Sequence, residues 1–480
     1  MKKLVLLLTA TTLSACTLAP RYQQPAAPVQ PAYEGVVAGD MAAVPAAEIG
    51  WKQFFPDAEL QSLLERSLVN NRDLRIATLN VEAARAQYRI QRADLVPAID
   101  ALGQSNNQRV PASLSTTGQS ELDRSYSAGL GVSAFELDLF GRVRSLRRAA
   151  LEEYFSFEEN RTAAQLLLVS EVANAWLTLI ADRELLLLAE GTRDSQRKSF
   201  DLTKLRFDSG VSSEIDLHRS EQAWRQAEVD IAAQTRRVAQ DRNALALLVG
   251  EPLSPEIANG EHAIDAQTFS KELPAGLPAE LLVRRPDVRA AEHALKAANA
   301  DIGAARAAFF PSISLTGFYG NASDDLSALF QSGHTSWSFT PQVRLPIFAG
   351  GANLASLNLA KVRKRIEVAR YEQSIQVAFR EVADALVARA TFEDQLRAQE
   401  ALTRASENSY RLADVRYRGG VDSYLGALIA QRDLYTAQRQ LIETRLAGAS
   451  NLVQLYQALG GGWKEQGGEL ETELLPQERL

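Results

Sequence analysis

The stretch that decides the fold is RAAFFPSISL, residues 306–315. An alanine-rich run with helical character meets Pro311 and continues at once as an alternation of apolar and small polar residues. The same change occurs 214 positions earlier, in RADLVPAIDA (residues 92–101), around Pro97. Because proline cannot continue a helix, the pattern predicts that a helix gives way to a strand at both prolines.

The two prolines belong to an internal duplication. Residues 72–103 align with 285–317, and the alignment places Asp73 on Asp287, Arg92 on Arg306, Pro97 on Pro311 and Gly103 on Gly317. Two further blocks follow in the same order with slightly different offsets: ELDLFGRVRSL (136–146) with RLPIFAGGANL (344–354), and SFDLTKLRFDSGVSS (199–213) with SYRLADVRYRGGVDS (409–423). Three matched blocks in one order indicate two structural repeats. Each repeat reads as helix, strand, strand, very long helix and shorter helix.

The strands have one apolar and one polar face. In SYSAGLGVSA (125–134) and SWSFTPQVRLPI (336–347), every second residue is apolar and the residues between are mostly small or polar. A membrane barrel requires this alternation, although a half-buried soluble hairpin shows the same local pattern. The alternation slips between Ala134 and Phe135, which predicts a bulge there. About eight strands are needed to close a barrel, so the four strands of one chain require two or three copies, with 8 or 12 strands.

The helices between the strands are unusually long. Residues 352–418 contain no glycine or proline, and residues 142–207 contain only Gly191. At 1.5 Å per residue the first of these helices would reach about 100 Å, a length that calls for coiled-coil packing. Apolar residues step by three and four in both, and each seam is broken by one charge, Arg389 in one and Asp182 in the other. We expect either that these two opposite charges pair and link neighbouring helices, or that each charged group reaches solvent at the edge of its seam.

The N-terminus carries a secretion signal. Lys2 and Lys3 precede LVLLLTATTLSA, a stretch too short to cross a bilayer as a helix, and Cys16 follows. The residues LSAC resemble a bacterial lipobox, so Cys16, the only cysteine of the chain, is the expected lipidation site and residues 1–15 the expected signal peptide. The alternative is an ordinary signal that happens to contain a cysteine. Thr17 in place of an aspartate favours the outer membrane.

Composition and residue types exclude several other functions. The formal charge of −7 becomes −9 when residues 1–15, with their two lysines, are removed, which argues against a nucleic-acid partner. The four histidines lie in different segments, with no pair at metal-ligand spacing: His218, His262, His293 and His334. We therefore expect no enzyme, no catalytic residue, no metal and no cofactor apart from the lipid on Cys16.

The sequence closely resembles the outer-membrane factor family, the TolC-like exit ducts, and within it the OprM-like lipoprotein branch of multidrug efflux systems. The duplicated plan, the lipobox and the motifs YRIQRADLVPAI, FELDLFGR, GAARAAFFPSISL, YRGGVDSYL and LYQALGGGW carry the resemblance over nearly the whole chain after Cys16. It implies a homotrimer in which the copies share one 12-stranded membrane β-barrel above a long α-helical barrel in the periplasm of a Gram-negative bacterium. The implied partners are a periplasmic adaptor (membrane fusion) protein, an inner-membrane pump of the resistance-nodulation-division type and outer-membrane lipid.

The resemblance also assigns regions and sites. It implies a lipidated segment (16–56), a first repeat (57–250, hairpin 97–139), an equatorial linker (251–285), a second repeat (286–462, hairpin 311–348) and a C-terminal tail (463–480), with an equatorial belt from 30–56, 250–285 and 464–480. The implied periplasmic gate residues are Asp182, Arg389, Tyr417, Leu425 and Ile429. Close relatives carry an aspartate where this chain has Ile429, which favours a more apolar constriction with lower cation preference. The implied adaptor-contact tips are Gly210, Val211 and Ser212, and Gly420, Val421, Asp422 and Ser423, whose glycines are also expected to end helices.

The implied function is an exit duct for drugs and other small toxic compounds within a tripartite efflux pump. Two alternatives remain at this point. One is the duct of a protein secretion system, and the other is a lipid-anchored periplasmic coiled-coil scaffold without a pore.

Overall fold

The computed structural model describes residues 17–30, 33, 46–116, 118–254, 263, 264, 269, 273 and 284–464. The predicted signal peptide, the lipidation site Cys16, most of the linker 251–285 and all of the predicted tail beyond Lys464 lie outside the described residues. The described chain forms two compact units, and each is described by itself. The first comprises Met1–Ala26, Leu79–Glu158 and Ala290–Glu372, and the second comprises Ala27–Thr78, Glu159–Arg289 and Gln373–Leu480.

The helices have the order and the lengths that the duplication predicts. In chain order the α-helices are α1 (Trp51–Phe54), α2 (Ala58–Asn70), α3 (Arg72–Ala93), α4 (Arg142–Asp208), α5 (Glu214–Val249), α6 (Pro286–Ala307), α7 (Ala352–Arg418) and α8 (Tyr424–Ala458). The two longest, α4 and α7, each contain 67 residues. The predicted helix over 352–418 is confirmed, and the one predicted over 142–207 extends by one residue.

Among the described residues, one helix, α4, contains a window that is long and apolar enough to cross a membrane by length and composition alone. Its side chains are instead packed against protein, since Val172, Trp176 and Ile180 have no exposed surface. The sequence LLLVSEVANAWLTLIADRELLLL, which contains the charged residues Glu171, Asp182, Arg183 and Glu184, therefore lies in a packed helix.

The core of the second unit contains a cluster of aromatic rings. Phe54 stacks on Tyr456 with ring centroids 4.0 Å apart, and Phe55 meets Phe54 edge-on at 4.7 Å. The Tyr456 hydroxyl donates a hydrogen bond to the carbonyl of Ile49 at 2.6 Å, so its buried polar end is satisfied. Gly461 lies against the Tyr456 ring so closely that a Cβ atom would overlap it. The glycine run that follows α8 thus has a packing role as well as ending the helix.

The strands of both repeats form one antiparallel sheet in the first unit. Its strands are β1 (Asp100–Val110), β2 (Glu121–Leu137), β3 (Ser312–Ser323) and β4 (Thr335–Arg344), in the order β1-β2-β3-β4. The pairing of β2 with β3 joins the first repeat to the second. The register shifts between Val132 and Phe135, and Ala134 has a φ of 51°. The bulge predicted between Ala134 and Phe135 is confirmed.

The register places the alternating residues on two faces of different character. Ile313, Leu315 and Tyr319 face the same way as their neighbours Val343, Pro341 and Trp337. The opposite face carries Ser312, Ser314 and Thr316 beside Arg344, Gln342 and Thr340. Large apolar side chains on the first face are exposed, among them Tyr319, Trp337, Phe339 and Val343. A sheet with one exposed apolar face and one polar face is what a membrane barrel requires.

Candidate functional site: junctions, helical tips and gate

The two prolines lie where helices end and strands begin. The amides of Phe309 and Phe310 bond back to the carbonyls of Arg306 and Ala307, which tightens the last turn of α6, and β3 starts directly after Pro311. Leu95 and Val96 make the same tight turn after α3, Pro97 follows, and β1 starts at Asp100.

A third junction, from β2 to α4, is fixed by side chains. Arg142 binds the carboxylate of Glu136 with nitrogen–oxygen distances of 2.6 and 2.9 Å. Asp138 accepts bonds from the backbone amide of Arg144 at 2.8 Å and from its guanidinium at 3.1 Å. Phe140 stacks on Phe310 at 4.8 Å and so connects this junction to the one at Pro311. The pair of acids at the strand end is therefore neutralised by the first turn of the next helix.

The N-terminal residues of the described chain run along helix α6. Arg306 donates to the carbonyl of Leu18 at 3.0 Å, and Asn299 donates to the carbonyl of Pro20 at 2.8 Å. Gly303 lies so close to Ala19 that a Cβ atom at this position would overlap it. Thr17 contacts the Ser145 hydroxyl at 3.3 Å. Residue 17, which follows the predicted lipidation site, is thus held beside the first turn of α4.

The two helical tips share one backbone geometry. Gly210 and Gly420 have φ values of 72° and 74°, in the left-handed region that favours glycine. Val211 bonds to the carbonyl of Arg206, and Val421 bonds to the carbonyl of Arg416. Each glycine amide also donates to the carbonyl of the residue three positions before it. The two bonds together form a Schellman motif at both helix ends. Both valines are exposed. The other predicted contact residues, Ser212, Asp422 and Ser423, lie in the same turns.

Tyr417, one of the predicted gate residues, is buried between helices. Its hydroxyl lies 3.0 Å from that of Thr203 on α4, and its ring lies 5.3 Å from that of Tyr424. Arg206 stands over the Tyr417 ring at 4.6 Å and donates to the carbonyls of Tyr417 and Arg418. Burial raises the pKa of Tyr424 above its ordinary value, with Tyr417 the next cause. Tyr417 therefore ties the end of α7 to α4 and to the start of α8.

Asp182 contacts a second carboxyl group. This group belongs to Asp241 on α5, one oxygen of which is buried without a partner among the described residues. Burial, followed by the neighbouring carboxyl group of Asp182, raises the pKa of Asp241 to about 6. Arg389 is half-buried on α7 and has a polar contact of its own.

Leu425 and Ile429 line a cavity of about 410 Å³ in the second unit. Its wall also contains Gln196, whose buried side-chain oxygen accepts no hydrogen bond from the described residues. Both apolar residues are about two-fifths exposed. The first two turns of α8 thus present the apolar side chains of Leu425 and Ile429 to this cavity.

Comparison with known proteins identifies the family. The model of the outer membrane efflux protein family matches residues 63–251 and 277–461. The chain belongs to the outer membrane efflux protein family. The match covers both repeats and most of the chain.

Relatives and solved structures agree with this assignment. The toluene efflux pump outer membrane protein TtgC of Pseudomonas putida is 52% identical over 97% of this chain and 96% of its own length. The outer membrane protein OprJ of Pseudomonas aeruginosa is 45% identical over 96% and 95%. The open state of the MtrE outer membrane channel of Neisseria gonorrhoeae is 39% identical with a TM-score of 0.86, over 95% of this chain and all of that one. A membrane protein from Pseudomonas aeruginosa is 44% identical with a TM-score of 0.88, over 95% and 99%.

The family assignment confirms the predicted architecture, location and role. This outer membrane efflux protein has the TolC-like fold, with a helical barrel and a β-barrel, and it is an outer-membrane channel that serves efflux. The predicted outer-membrane location is likewise confirmed. In the part of the chain that the structure describes, no group of three or more metal-ligating side chains comes together.

Sequence reasoning missed two side chains beside the predicted gate residues, Arg206 and Asp241. The alignment of the repeats pairs Arg206 with Arg416, so it indicates an arginine at each tip. It does not indicate that Arg206 bonds to the other hairpin while Arg416 bonds within its own turn. Nothing in the spacing of α5 marked Asp241, because a heptad pattern locates a seam without naming the residue on the neighbouring helix.

Proposed function

We propose that three copies of the chain form one exit duct, through which a tripartite efflux pump expels small apolar toxic compounds and antibiotics from the periplasm. The observation that carries the proposal is the four-stranded sheet, with an exposed apolar face, a polar face and two edge strands. Three such sheets give 12 strands, which leaves a passage along the axis. The names of the relatives, a toluene efflux pump protein and an antibiotic efflux pump protein, support the class of compound.

The partners are a periplasmic adaptor protein and an inner-membrane pump of the resistance-nodulation-division type. The adaptor meets the turns around Gly210 and Gly420, where Val211 and Val421 expose apolar surface between the ends of the long helices. An apolar side chain held on a rigid Schellman turn loses little entropy on binding.

Cys16 carries the lipid that anchors the chain. The contacts of residues 17–20 with α6 and α4 support this, because they hold the neighbouring residue beside the helix-to-strand junctions. Acyl chains attached at that level would enter the inner leaflet of the outer membrane.

The periplasmic end is closed by the gate residues. Tyr417 holds α7 against α4, and Leu425 and Ile429 supply an apolar ring. Asp182 and Arg389 link neighbouring helices, and release of these links opens the duct. The protein acts as a passage and performs no chemical reaction.

Single-channel recording of the purified protein in planar bilayers tests the duct. We expect small conductance for the wild type and larger conductance for Tyr417→Ala and Asp182→Ala, with Asp201→Ala, at an exposed position on α4, as the control. A verified trimer that conducts in none of these forms would contradict the proposal. A passage that translocates folded protein but leaves drug susceptibility unchanged in cells would favour the secretion alternative.

A further inference from the structure

The two edge strands of the sheet are staggered along the strand direction. Within the described sheet, β1 pairs only with β2 and β4 only with β3. One row of the register runs from Asp100 through Gly131 and Phe318 to Ser338. From this row β1 extends in one direction to Val110, whereas β4 extends in the other to Arg344. The two edges of one sheet are therefore offset by six residues, about 20 Å at 3.3 Å per residue.

An unpaired strand edge is not tolerated inside a membrane, so each edge needs a partner. Because the edges carry 11 and 10 residues, a second copy displaced by six residues pairs all of β4 with β1. In that register Arg344 lies opposite Asp100 of the next copy, and Thr335 lies opposite Arg109. Three such steps give a total stagger of about 18 residues around 12 strands. This stagger corresponds to a strand tilt of about 45°, close to that of membrane barrels.

The charges at the ends of the two edges are complementary. Asp100 and Arg344 both lie on the polar face of the sheet, because their rows are an even number of residues apart. Both are exposed, and neither forms an ion pair with another described residue. Glu136 occupies the position equivalent to Arg344 in the first repeat, but Arg142 already neutralises it. The edges thus carry one free carboxylate and one free guanidinium at the same end.

The side chains on the apolar face are complementary in size. The residues of β1 on this face are small or polar, among them Ala101, Gly103 and Ser105, unlike those of the other three strands. In the register above they lie opposite Val343, Pro341 and Phe339. Phe339 and Trp337 are 61% and 72% exposed in the single chain, so they have surface to bury over a partner strand of small residues.

From these observations we propose that Arg344 pairs with Asp100 of a second copy and that this pair, with the large-on-small packing beside it, sets the register of the seam between copies. The inference rests on the trimer of the proposed function. A register error of one residue would place the apolar face of one copy beside the polar face of the next. An error of two residues would place Arg344 opposite Leu102. The charged pair at the strand ends discriminates against both.

Disulfide cross-linking measures the register directly. We expect the double variant Leu102→Cys with Gln342→Cys to give a reducible covalent trimer on oxidation, because these positions are opposite in the proposed register. The two slipped controls, Leu102→Cys with Thr340→Cys and Gln104→Cys with Gln342→Cys, should give little. All four positions lie on the polar face, where an oxidant dissolved in water can reach them.

Charge reversal tests the pair itself. Asp100→Arg and Arg344→Asp should each weaken trimer association in detergent. The double swap should associate about tenfold more tightly than the combined effects of the two single changes would give. Asp123→Arg, on the polar face of the central strand β2, is the control and should leave association unchanged.

The outcomes separate the register from the duct. Cross-links from a slipped pair, no cross-link from any pair, or a double swap that recovers nothing would each overturn the inference, even in a preparation that conducts. A wild-type trimer that does not conduct, together with the expected cross-link in the Leu102→Cys, Gln342→Cys variant, would instead count against the duct and leave the seam intact.

Discussion

The two helical tips have the same backbone but are held by different side chains. Phe207 and Tyr417 are equivalent in the two repeats, yet Phe207 is 37% exposed whereas Tyr417 is 5% exposed. Arg206 reaches across to the second hairpin, whereas the bonds that its equivalent, Arg416, makes with side chains of described residues all go to Asp422 in its own turn. The duplication thus preserved the turn while the second tip took over the contacts that join the hairpins. Two tips of equal shape therefore contribute unequally to the contacts between the hairpins.

The largest expected difference between the tips comes from the equivalent aromatic residues. Tyr417→Ala removes a buried ring and should cost about 3–5 kcal/mol of local stability, because the helices cannot close the gap. Phe207→Ala should cost about 1 kcal/mol or less, since much of that ring faces solvent. Hydrogen exchange of the amides in the last turns of α4 and α7 measures both.

Tyr417→Phe separates packing from hydrogen bonding. This variant keeps the ring and loses only the contact with the Thr203 hydroxyl, so it should retain most of the stability. Equal costs for Tyr417→Ala and Phe207→Ala would show that the two tips are held alike.

The next difference concerns the two arginines. Arg206→Ala loses charged hydrogen bonds to the last carbonyls of α7 and the contact with the Tyr417 ring, which together should cost about 2 kcal/mol. Arg416→Ala breaks an exposed ion pair that solvent screens, so its effect should be much smaller than that of Arg206→Ala. The channel readout is basal conductance, which should rise for the first variant and stay unchanged for the second. A rise of equal size in both would contradict the assignment of the link between hairpins to Arg206.

Much of the fold could be predicted from the sequence, whereas this asymmetry could not. The 67 residues of α7 are visible as a run without glycine or proline, and the faces of the sheet are visible in its alternation. Those features depend on local conformation and period. Whether a ring at position 207 or 417 is buried depends on which helices pack against it, and phenylalanine and tyrosine suit either environment. The contact of Asp182 with Asp241 was hidden for the same reason, because it joins two helices through polar groups.

The glycines of the two tips should respond equally, in contrast to the side chains. Nothing lies within 4 Å of a Cβ atom built at Gly210 or Gly420, so alanine meets no neighbour and is opposed only by the left-handed backbone. Gly210→Ala and Gly420→Ala should each cost about 1 kcal/mol. The check is the same exchange measurement, with Gly426→Ala, inside α8 and also without close neighbours, as the control that should not destabilise. A cost at one tip alone would mean that the backbones are not equivalent in solution.

The smallest expected difference between the two tips is in how their stability depends on pH. The hydrogen bond from Arg416, followed by its charge, holds the pKa of Asp422 below its ordinary value, whereas the equivalent residue of the first tip is Ser212, which does not titrate. The stabilising ion pair is therefore fully present above the ordinary pKa of an aspartate, about 4, and is lost as the pH falls through the lowered value. Amide exchange at the second tip, corrected for its intrinsic pH dependence, should increase below about pH 4 relative to the first tip. Asp422→Asn should remove this difference, and a pH response shared by both tips in that variant would assign it to other groups.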